Sequence, residues 1–219
     1  MTENKKVIIV GTGNIARMVR YYIGGNKVAA FSAHRKYIED NVIDGLPVVS
    51  LENITEIYEP EKYLMFVAIG YQKMNATREN ILSELLAAGY ESFTCQSKLA
   101  IVSKRAEIGQ NCLISPLAII EDEAIIGDNV FIRCGAYIGH HAIVEDNCWI
   151  GARAVIGGES HIGQNSFVGY GGIVRNGIDI GTHCIIGAGT FIGKNTESHE
   201  VWTMPYAVLS NRKSFEVKI

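Results

Sequence analysis

The sequence lacks any long run of positive charge and any long apolar run. Its 20 Lys and Arg residues are outnumbered by 23 Asp and Glu residues, which gives a formal net charge of −3. No basic run exceeds two residues, so neither a nucleic acid nor an anionic membrane is expected as a partner. The longest apolar run, YLMFVAI, is far too short to span a bilayer, and the polar start MTENKK does not resemble a signal peptide.

Cysteine is scarce as well. The five cysteines are an odd number, and none of them forms a CxxC motif. This usage argues against a disulfide framework and favours a reducing cytoplasm. The remaining composition, with 47% hydrophobic and 20% charged residues, is ordinary for a globular chain, and 219 residues allow one large domain or two small ones.

Residues 1–95 alternate apolar strands with amphipathic helices. Strands are predicted at KKVIIVG, KVAAFSA, LPVVS and YLMFVAIG, and the last is apolar throughout, as a buried parallel strand would be. Asn14 is expected to cap one helix and Asn75 another. The alternation predicts an α/β domain with a parallel sheet.

From residue 102 the sequence repeats every six residues. Fifteen consecutive hexads from Ile108 to Glu197 begin with Ile or Val, and ten of them have Gly second. Such repeats build a β-helix, because the branched residues stack into a column and Gly serves the tight corners. Cys112, Cys148 and Cys184 occupy the small fifth place of their hexads, so we expect them to fill the core.

The segment VGTGNIA fits a GxGxxA phosphate turn at Gly11, Gly13 and Ala16. Backbone amides at such a strand-to-helix turn can hold a phosphate, helped by the helix dipole. NAD would also need an acid at the end of the second strand, and FSAHRKY has none before Glu39. A nucleotide diphosphate-sugar needs only the turn and a base pocket; the alternative is a structural turn without a ligand.

The hexads resemble those of the left-handed parallel β-helix acyltransferases, in which three hexads make one triangular coil. The segments VIIVGTGNIA, AIGYQKMNATREN with AAGY, and IGHH extend the resemblance over the whole chain to bacterial sugar acetyltransferases, the nucleotide-amino-sugar N-acetyltransferase and sialic acid O-acetyltransferase family. The resemblance implies a Rossmann-like nucleotide-sugar-binding domain over residues 1–95. It further implies a β-helix of about five coils with a short C-terminal cap over residues 96–219, and a homotrimer with acetyl-coenzyme A between adjacent β-helices.

The family's catalytic histidine corresponds to His140, which is usually followed by an acid but here is followed by His141. With eighteen residues per coil, Asp122 is expected below His140 and Gly158 above it. A neighbouring carboxylate would orient the imidazole and strengthen it as a base, and the Gly158 amide could stabilise an oxyanion. We therefore expect His140 to be the general base, in a catalytic group with His141 and Asp122.

Two alternatives stay open at this corner. Glu123 or Glu159 could supply the charge that tunes the base in place of Asp122. Without the resemblance, the two histidines would be interpreted as exposed corner residues with acids nearby. A zinc site like that of the γ-class carbonic anhydrases would need two histidines five residues apart, and the chain has no such pair, so no metal is expected.

The resemblance also suggests which residues bind coenzyme A and the sugar nucleotide. Trp149 would stack on the pantetheine arm or pack at the trimer interface. The expected coenzyme A-binding residues are Trp149, Gly158, Gly187 and Ala188. The expected substrate-binding residues are Gly11, Thr12, Gly13, Asn14, Ser32, Arg35, Gly70, Asn75 and Arg78; for Asn75 and Arg78 the alternative is helix capping and an ordinary surface charge.

These features predict a cytoplasmic, acetyl-coenzyme A-dependent N-acetyltransferase of polysaccharide biosynthesis. Its acceptor would be an amino deoxysugar linked to UDP, dTDP or GDP, whose amine attacks the thioester of acetyl-coenzyme A directly, with a histidine base and no metal. A sugar O-acetyltransferase of the sialic acid type is the nearer alternative. A non-catalytic β-helix scaffold is the more distant one.

Overall fold

The structure is a computed structural model that describes residues 5–205, 207, 209 and 213. Its N-terminal part contains six strands: β1 (Lys6–Val10), β2 (Val28–Ala33), β3 (Val42–Ile43), β4 (Leu46–Ser50), β5 (Tyr63–Val67) and β6 (Glu91–Ser92). The α-helices are α1 (Asn14–Ile23), α2 (Ile54–Ile57) and α3 (Ala76–Ala87). Short 3-10 turns lie at Gly25–Lys27, Arg35–Tyr37, Leu51–Asn53 and Pro60–Lys62.

The six strands form one sheet in the order β3-β4-β2-β1-β5-β6. All neighbours pair in parallel except β3 and β4, which are antiparallel. The four longer strands lie where the apolar runs predicted them, so the expected α/β domain with a parallel sheet is confirmed. Strands β3 and β6 were missed because two residues carry no periodicity. Helix α1 begins at Asn14 with Gly13 as its N-cap, so Asn14 is not the capping residue.

The second part consists of two-residue strands at six-residue intervals until the last one. They are β7 (Cys95–Gln96), β8 (Ile101–Val102), β9 (Glu107–Ile108), β10 (Leu113–Ile114), β11 (Ile119–Ile120), β12 (Ile125–Ile126), β13 (Phe131–Ile132), β14 (Tyr137–Ile138), β15 (Ile143–Val144), β16 (Trp149–Ile150), β17 (Val155–Ile156), β18 (His161–Ile162), β19 (Phe167–Val168), β20 (Ile173–Val174), β21 (Asp179–Ile180), β22 (Ile185–Ile186), β23 (Phe191–Ile192) and β24 (Val201–Trp202).

Every third strand joins the same parallel sheet, so the chain winds into a three-sided β-helix. The first sheet runs from β7 to β24, the second from β8 to β23, and the third from β9 to β21. Paired residues are eighteen apart, as in Ile120 against Ile138, except in the final pair β22 and β24, where Ile185 pairs with Val201. The leading Ile and Val of the hexads form the core, and the cysteines at 112, 148 and 184 are all fully buried in it, as predicted.

Each corner of the β-helix has a left-handed residue at the fourth place of a hexad. Asn111, Asn129, Asn147 and Asn165 have φ between 51° and 63°, and these four residues are called the asparagine column. Glu123, His141 and Glu159 have φ between 57° and 59° at another corner, and they are called the histidine column. The same backbone conformation therefore carries two very different sets of side chains.

The α/β domain packs on the first sheet of the β-helix. Its apolar residues share one buried cluster with the outward side chains of that sheet, such as Leu113, Phe131 and Trp149. No helix within the described residues is long and apolar enough to cross a membrane. Of the C-terminal cap expected after residue 197, the structure describes residues 198–205, 207, 209 and 213, and the rest of the cap lies outside the described residues.

Candidate active site

A cavity of about 730 Å³ opens at the carboxyl end of the α/β sheet. The β1–α1 turn forms one side of it, and Gly11 there has φ 126°, a value that L side chains rarely adopt. A Cβ at Gly11 would also lie 2.8 Å from the carbonyl oxygen of Ala68, so the turn requires glycine there. Five residues expected at the substrate line this cavity together: Gly11, Thr12, Gly13, Asn14 and Gly70.

The cavity also contains residues that the sequence analysis missed. His34, Lys36 and Lys73 line it, and the two lysine ammonium groups suit a ligand with phosphate groups. His34 Nδ1 lies 3.2 Å from a carboxylate oxygen of Glu52. Glu52, just beyond the end of β4, therefore contacts the cavity residue His34 without lining the cavity itself.

Glu52 is held in its ionised form. Its pKa is lowered to about 2, chiefly by a hydrogen bond from the Ser50 hydroxyl and further by the Arg35 amide and His34. The Arg35 side chain is exposed and does not line the cavity, and its backbone N–H donates to Glu52 at 3.1 Å. Ser32 is fully buried, and its hydroxyl has no hydrogen-bond partner within the described residues.

The structure places Asn75 and Arg78 away from the cavity, and their expected substrate roles stay predictions. Both side chains are fully buried between α3 and the β-helix, outside the cavity lining. The Arg78 guanidinium donates to Asn129 Oδ1 at 3.0 Å and to the Asn147 carbonyl at 3.1 Å, and it stacks 4.2 Å from the Phe131 ring centre. Burial lowers the pKa of Arg78 to about 10. Arg78 thus joins the two domains, and the alternative of an ordinary surface charge is wrong.

The asparagine column is the counterpart of Arg78 on the β-helix. Asn111 Nδ2 donates to Asn129 Oδ1 at 2.7 Å, and Asn129 Nδ2 donates to Asn147 Oδ1 at 2.8 Å. Asn165 ends the ladder by donating to Glu79 at 2.8 Å. The eighteen-residue spacing of these asparagines is visible in the sequence and could have revealed the ladder.

His140 and His141 lie at the corner between the second and third sheets. The His140 backbone N–H donates to the Glu121 carboxylate at 3.0 Å, and His140 Nδ1 lies 3.2 Å from His141 Nδ1. His141 Nε2 lies 2.7 Å from Glu123 Oε2. Both histidines are exposed, so a substrate can reach them.

Asp122 lies beside His140 on the surface, but its carboxylate has other partners. It accepts hydrogen bonds from the Ser103 hydroxyl and from Arg105 at 2.7 Å. The Ser103 bond first, and Arg105 second, hold the pKa of Asp122 below its usual range. A role for Asp122 toward His140 stays a prediction, and the contact to the imidazole pair comes from Glu123.

Gly158 lies against the edge of the His140 imidazole. A Cβ at Gly158 would lie 2.7 Å from His140 Nε2, so the absence of a side chain leaves that nitrogen open. The Gly158 N–H has no hydrogen-bond acceptor in the described part of the chain. An open imidazole nitrogen next to a free amide is the pairing of base and oxyanion donor that acyl transfer uses.

The other residues expected to bind coenzyme A lie away from the corner that holds His140 and Gly158. Trp149 is only 4% exposed and packs in the domain junction against Phe131 and Tyr71, with ring centres 5.7 and 5.0 Å away. The indole is thus largely enclosed within one protomer, and its two expected roles stay predictions. Gly187 is half-buried and Ala188 exposed, next to each other after β22.

The cavity and the histidine corner belong to different sides of the protomer. The cavity lies in the α/β domain, which packs on the first sheet, and no β-helix residue lines it. His140 lies at the corner between the other two sheets, opposite that face, with its own shallow surface depression. One protomer therefore does not bring the two together.

The comparisons with known proteins agree with this architecture. Residues 105–140 and 141–176 match the model described as bacterial transferase hexapeptide (six repeats), and residues 161–194 match the hexapeptide repeat of succinyl-transferase. These segments define the second part of the chain as a hexapeptide repeat of the transferase type. No curated protein sequence is significantly similar to the chain.

Solved structures match nearly the whole chain. PerB from Caulobacter crescentus, in complex with CoA and GDP-perosamine, is 25% identical with a TM-score of 0.81, covering 90% of this chain and 92% of that one. The acetyltransferase domain of PglB from Neisseria gonorrhoeae, in complex with acetyl coenzyme A, is 22% identical with a TM-score of 0.81, covering 90% and 95%. WeeI from Acinetobacter baumannii is 19% identical with a TM-score of 0.78, covering 90% and 96%. The resemblance to hexapeptide-repeat sugar acetyltransferases is confirmed.

Proposed function

We propose that the chain is an acetyl-coenzyme A-dependent N-acetyltransferase acting on a nucleotide-linked amino deoxysugar. The observation that carries the proposal is the likeness over nine tenths of the chain to PerB, a structure with CoA and GDP-perosamine bound. The phosphate-type turn at Gly11 and Gly13 supports a nucleotide ligand in the α/β cavity. The open edge of His140 beside Gly158 supports acyl transfer at the β-helix corner.

In this proposal His140 is the general base. The sugar amine attacks the thioester carbonyl carbon, forming the C–N bond, while His140 Nε2 takes the proton from the amine. The Gly158 N–H donates to the oxygen as negative charge develops on it. The C–S bond then breaks, and the protonated imidazole returns a proton to the leaving sulfur. No covalent enzyme intermediate is required.

No step needs a metal ion. Within the described residues no three His, Cys, Asp or Glu side chains lie close enough together to hold a metal. The chemistry of an amine attacking a thioester is complete with one base and one oxyanion donor. We place the enzyme in a reducing cytoplasm, which the odd number of cysteines and the lack of a CxxC motif favour.

We infer that the protein is a homotrimer in which the cavity of one protomer faces His140 of its neighbour. The separation of the two features within one protomer supports this assembly. Exposed apolar side chains on the outer faces of the second and third sheets, such as Ile101, Ile125 and Ile173, would be covered by the neighbouring β-helices.

The first experiment measures thiol release from acetyl-coenzyme A with a chromogenic disulfide. The acceptors are GDP-, UDP- and dTDP-linked 4-amino and 3-amino deoxysugars and free sialic acid. We expect turnover with one amino-sugar nucleotide and a loss of about 10²- to 10⁴-fold in His140→Ala. Turnover only with free sialic acid would make the protein an O-acetyltransferase. If calorimetry detects no binding of coenzyme A, the alternative of a non-catalytic β-helix scaffold would be favoured.

A second experiment tests the shared site by co-expressing two inactive variants. Gly13→Glu places bulk and negative charge in the cavity, and no atom within 4 Å of its Cβ obstructs the fold. Mixed with His140→Ala in one trimer, it should restore activity at about one site in four, as random assembly around a closed ring gives. Gly13→Ala is the control that keeps activity. No recovery in mixed trimers would contradict a site shared between protomers.

A further inference from the structure

We propose that Glu123 is a positioning residue that acts through His141 and keeps the Nε2 atom of His140 free to accept a proton. Glu123 comes from the coil below the two histidines, where the histidine column places it eighteen residues from His141. The inference rests on the proposed function, in which His140 is the base, and it adds the residues that determine the base's protonation state.

The contacts form an unbroken chain from carboxylate to base. Glu123 Oε2 lies 2.7 Å from His141 Nε2, and His141 Nδ1 lies 3.2 Å from His140 Nδ1. The two rings are nearly perpendicular, at 84°, with centres 5.4 Å apart. Each distance is within hydrogen-bond range, and each imidazole uses its two nitrogens for different neighbours.

The chain of contacts selects one pair of tautomers when both rings are neutral. A carboxylate only accepts, so His141 carries its proton on Nε2 and donates it to Glu123. His141 Nδ1 is then an acceptor, and His140 must donate from its own Nδ1. The remaining nitrogen, His140 Nε2, keeps its lone pair. This is the nitrogen that lies open beside Gly158.

The other charged groups at the corner have different partners. Arg105 forms ion pairs with the two acids below the histidines, Asp122 at 2.7 Å and Glu123 Oε1 at 3.2 Å. The other oxygen of Glu123, Oε2, contacts His141. Glu121 accepts from the His140 backbone N–H. The Glu159 carboxylate, one coil above His141, has no hydrogen bond or ion pair to either imidazole among the described residues.

The histidine column offers a matched pair of variants, one at Glu123 and one at Glu159. Glu123→Gln removes the charge that the chain depends on, and an amide can present N–H as well as oxygen to His141. Glu159→Gln makes the same change at an equivalent left-handed position without touching the imidazoles. A purely structural role of corner carboxylates would make the two variants behave alike.

The first measurement is the tautomeric state of His140 and His141, read from the ¹⁵N chemical shifts of their ring nitrogens in the intact protein. We expect the wild type to carry protons on His140 Nδ1 and His141 Nε2. Glu123→Gln should transfer His140 toward the Nε2–H form, and Glu159→Gln should leave both rings unchanged. A wild-type proton on His140 Nε2, or an unchanged spectrum in Glu123→Gln, would overturn the proposal. The measurement needs no acceptor, so it remains decisive if the proposed function fails.

The second measurement is a double-mutant cycle with His141→Glu, which places a carboxylate directly beside His140. Glutamate already occupies this conformation at positions 123 and 159, so the backbone accepts it. In the wild-type background Glu123→Gln should lower kcat about 10- to 100-fold with KM unchanged, part of the contribution of a general base. In the His141→Glu background, Glu123→Gln should lower kcat less than about twofold, because the contact from Glu123 through His141 to His140 no longer exists. Equal losses in both backgrounds would contradict the relay.

Discussion

The asparagine column and the histidine column occupy the same position in the repeat, but their side chains have different roles. Both occupy the fourth place of a hexad, and both have φ near 60°. Asn129 is fully buried under the α/β domain, whereas the side chains of His141 and Glu123 are 55% and 46% exposed. The repeat therefore determines the backbone, and what covers each corner determines whether its side chains serve stability or chemistry.

The largest difference in stability between the two columns is expected for a substitution of Asn129. Asn129→Ala leaves a donor of Arg78 and a donor of Asn111 without an acceptor, at about 2 kcal/mol, and adds about 1 kcal/mol for alanine at positive φ. The free energy of unfolding, measured by chemical denaturation, should fall by about 3 kcal/mol. Glu159→Ala has the same φ on the exposed corner, and because glutamate already carries the Cβ that this backbone disfavours, it should cost well below about 1 kcal/mol. Equal losses would mean that the ladder adds nothing.

A smaller and purely functional effect is expected at Gly158. The Cβ of Gly158→Ala would push the exposed His140 ring aside rather than strain the backbone, since its nearest atoms belong to that ring. The kcat value should fall about 10- to 100-fold, within the contribution of a general base, and the melting temperature should stay the same. In a His140→Ala background the change should have no further effect, and an additive loss would show that Gly158 acts independently of the ring.

The smallest effect concerns the ionisation of Asp122. Because the Ser103 hydroxyl and Arg105 lower the pKa of Asp122, the folded state is favoured above the carboxyl's unfolded value, and this contribution is lost as pH falls through the lowered one. A ¹³C titration should show Asp122 ionising below the range of an ordinary aspartate. In Ser103→Ala the midpoint should move upward. An unchanged midpoint would assign the shift to Arg105 alone.

The repeat made much of the fold predictable. A branched residue every sixth position determined the strands, and the eighteen-residue stacking predicts Asp122, His140 and Gly158 at one corner, where the structure has them. Arg78 could not be placed in this way, because nothing local shows that a helix residue of one domain inserts beneath the corner of another. Glu52 was missed for a related reason: it contacts the cavity residue His34 from beyond the end of a different strand than the one that sequence rules examine.

The eighteen-residue coil also limits how such a chain can change length. Adding or removing a whole coil keeps every column in line and moves one part by a single strand spacing of about 4.8 Å. A change of one hexad would rotate everything beyond it by one side of the triangle. The residue pair His140 and His141 would then lie where the asparagines bind Arg78. Insertions and deletions within residues 105–194 are therefore expected only in multiples of eighteen, or as loops that leave the winding and return to the same corner.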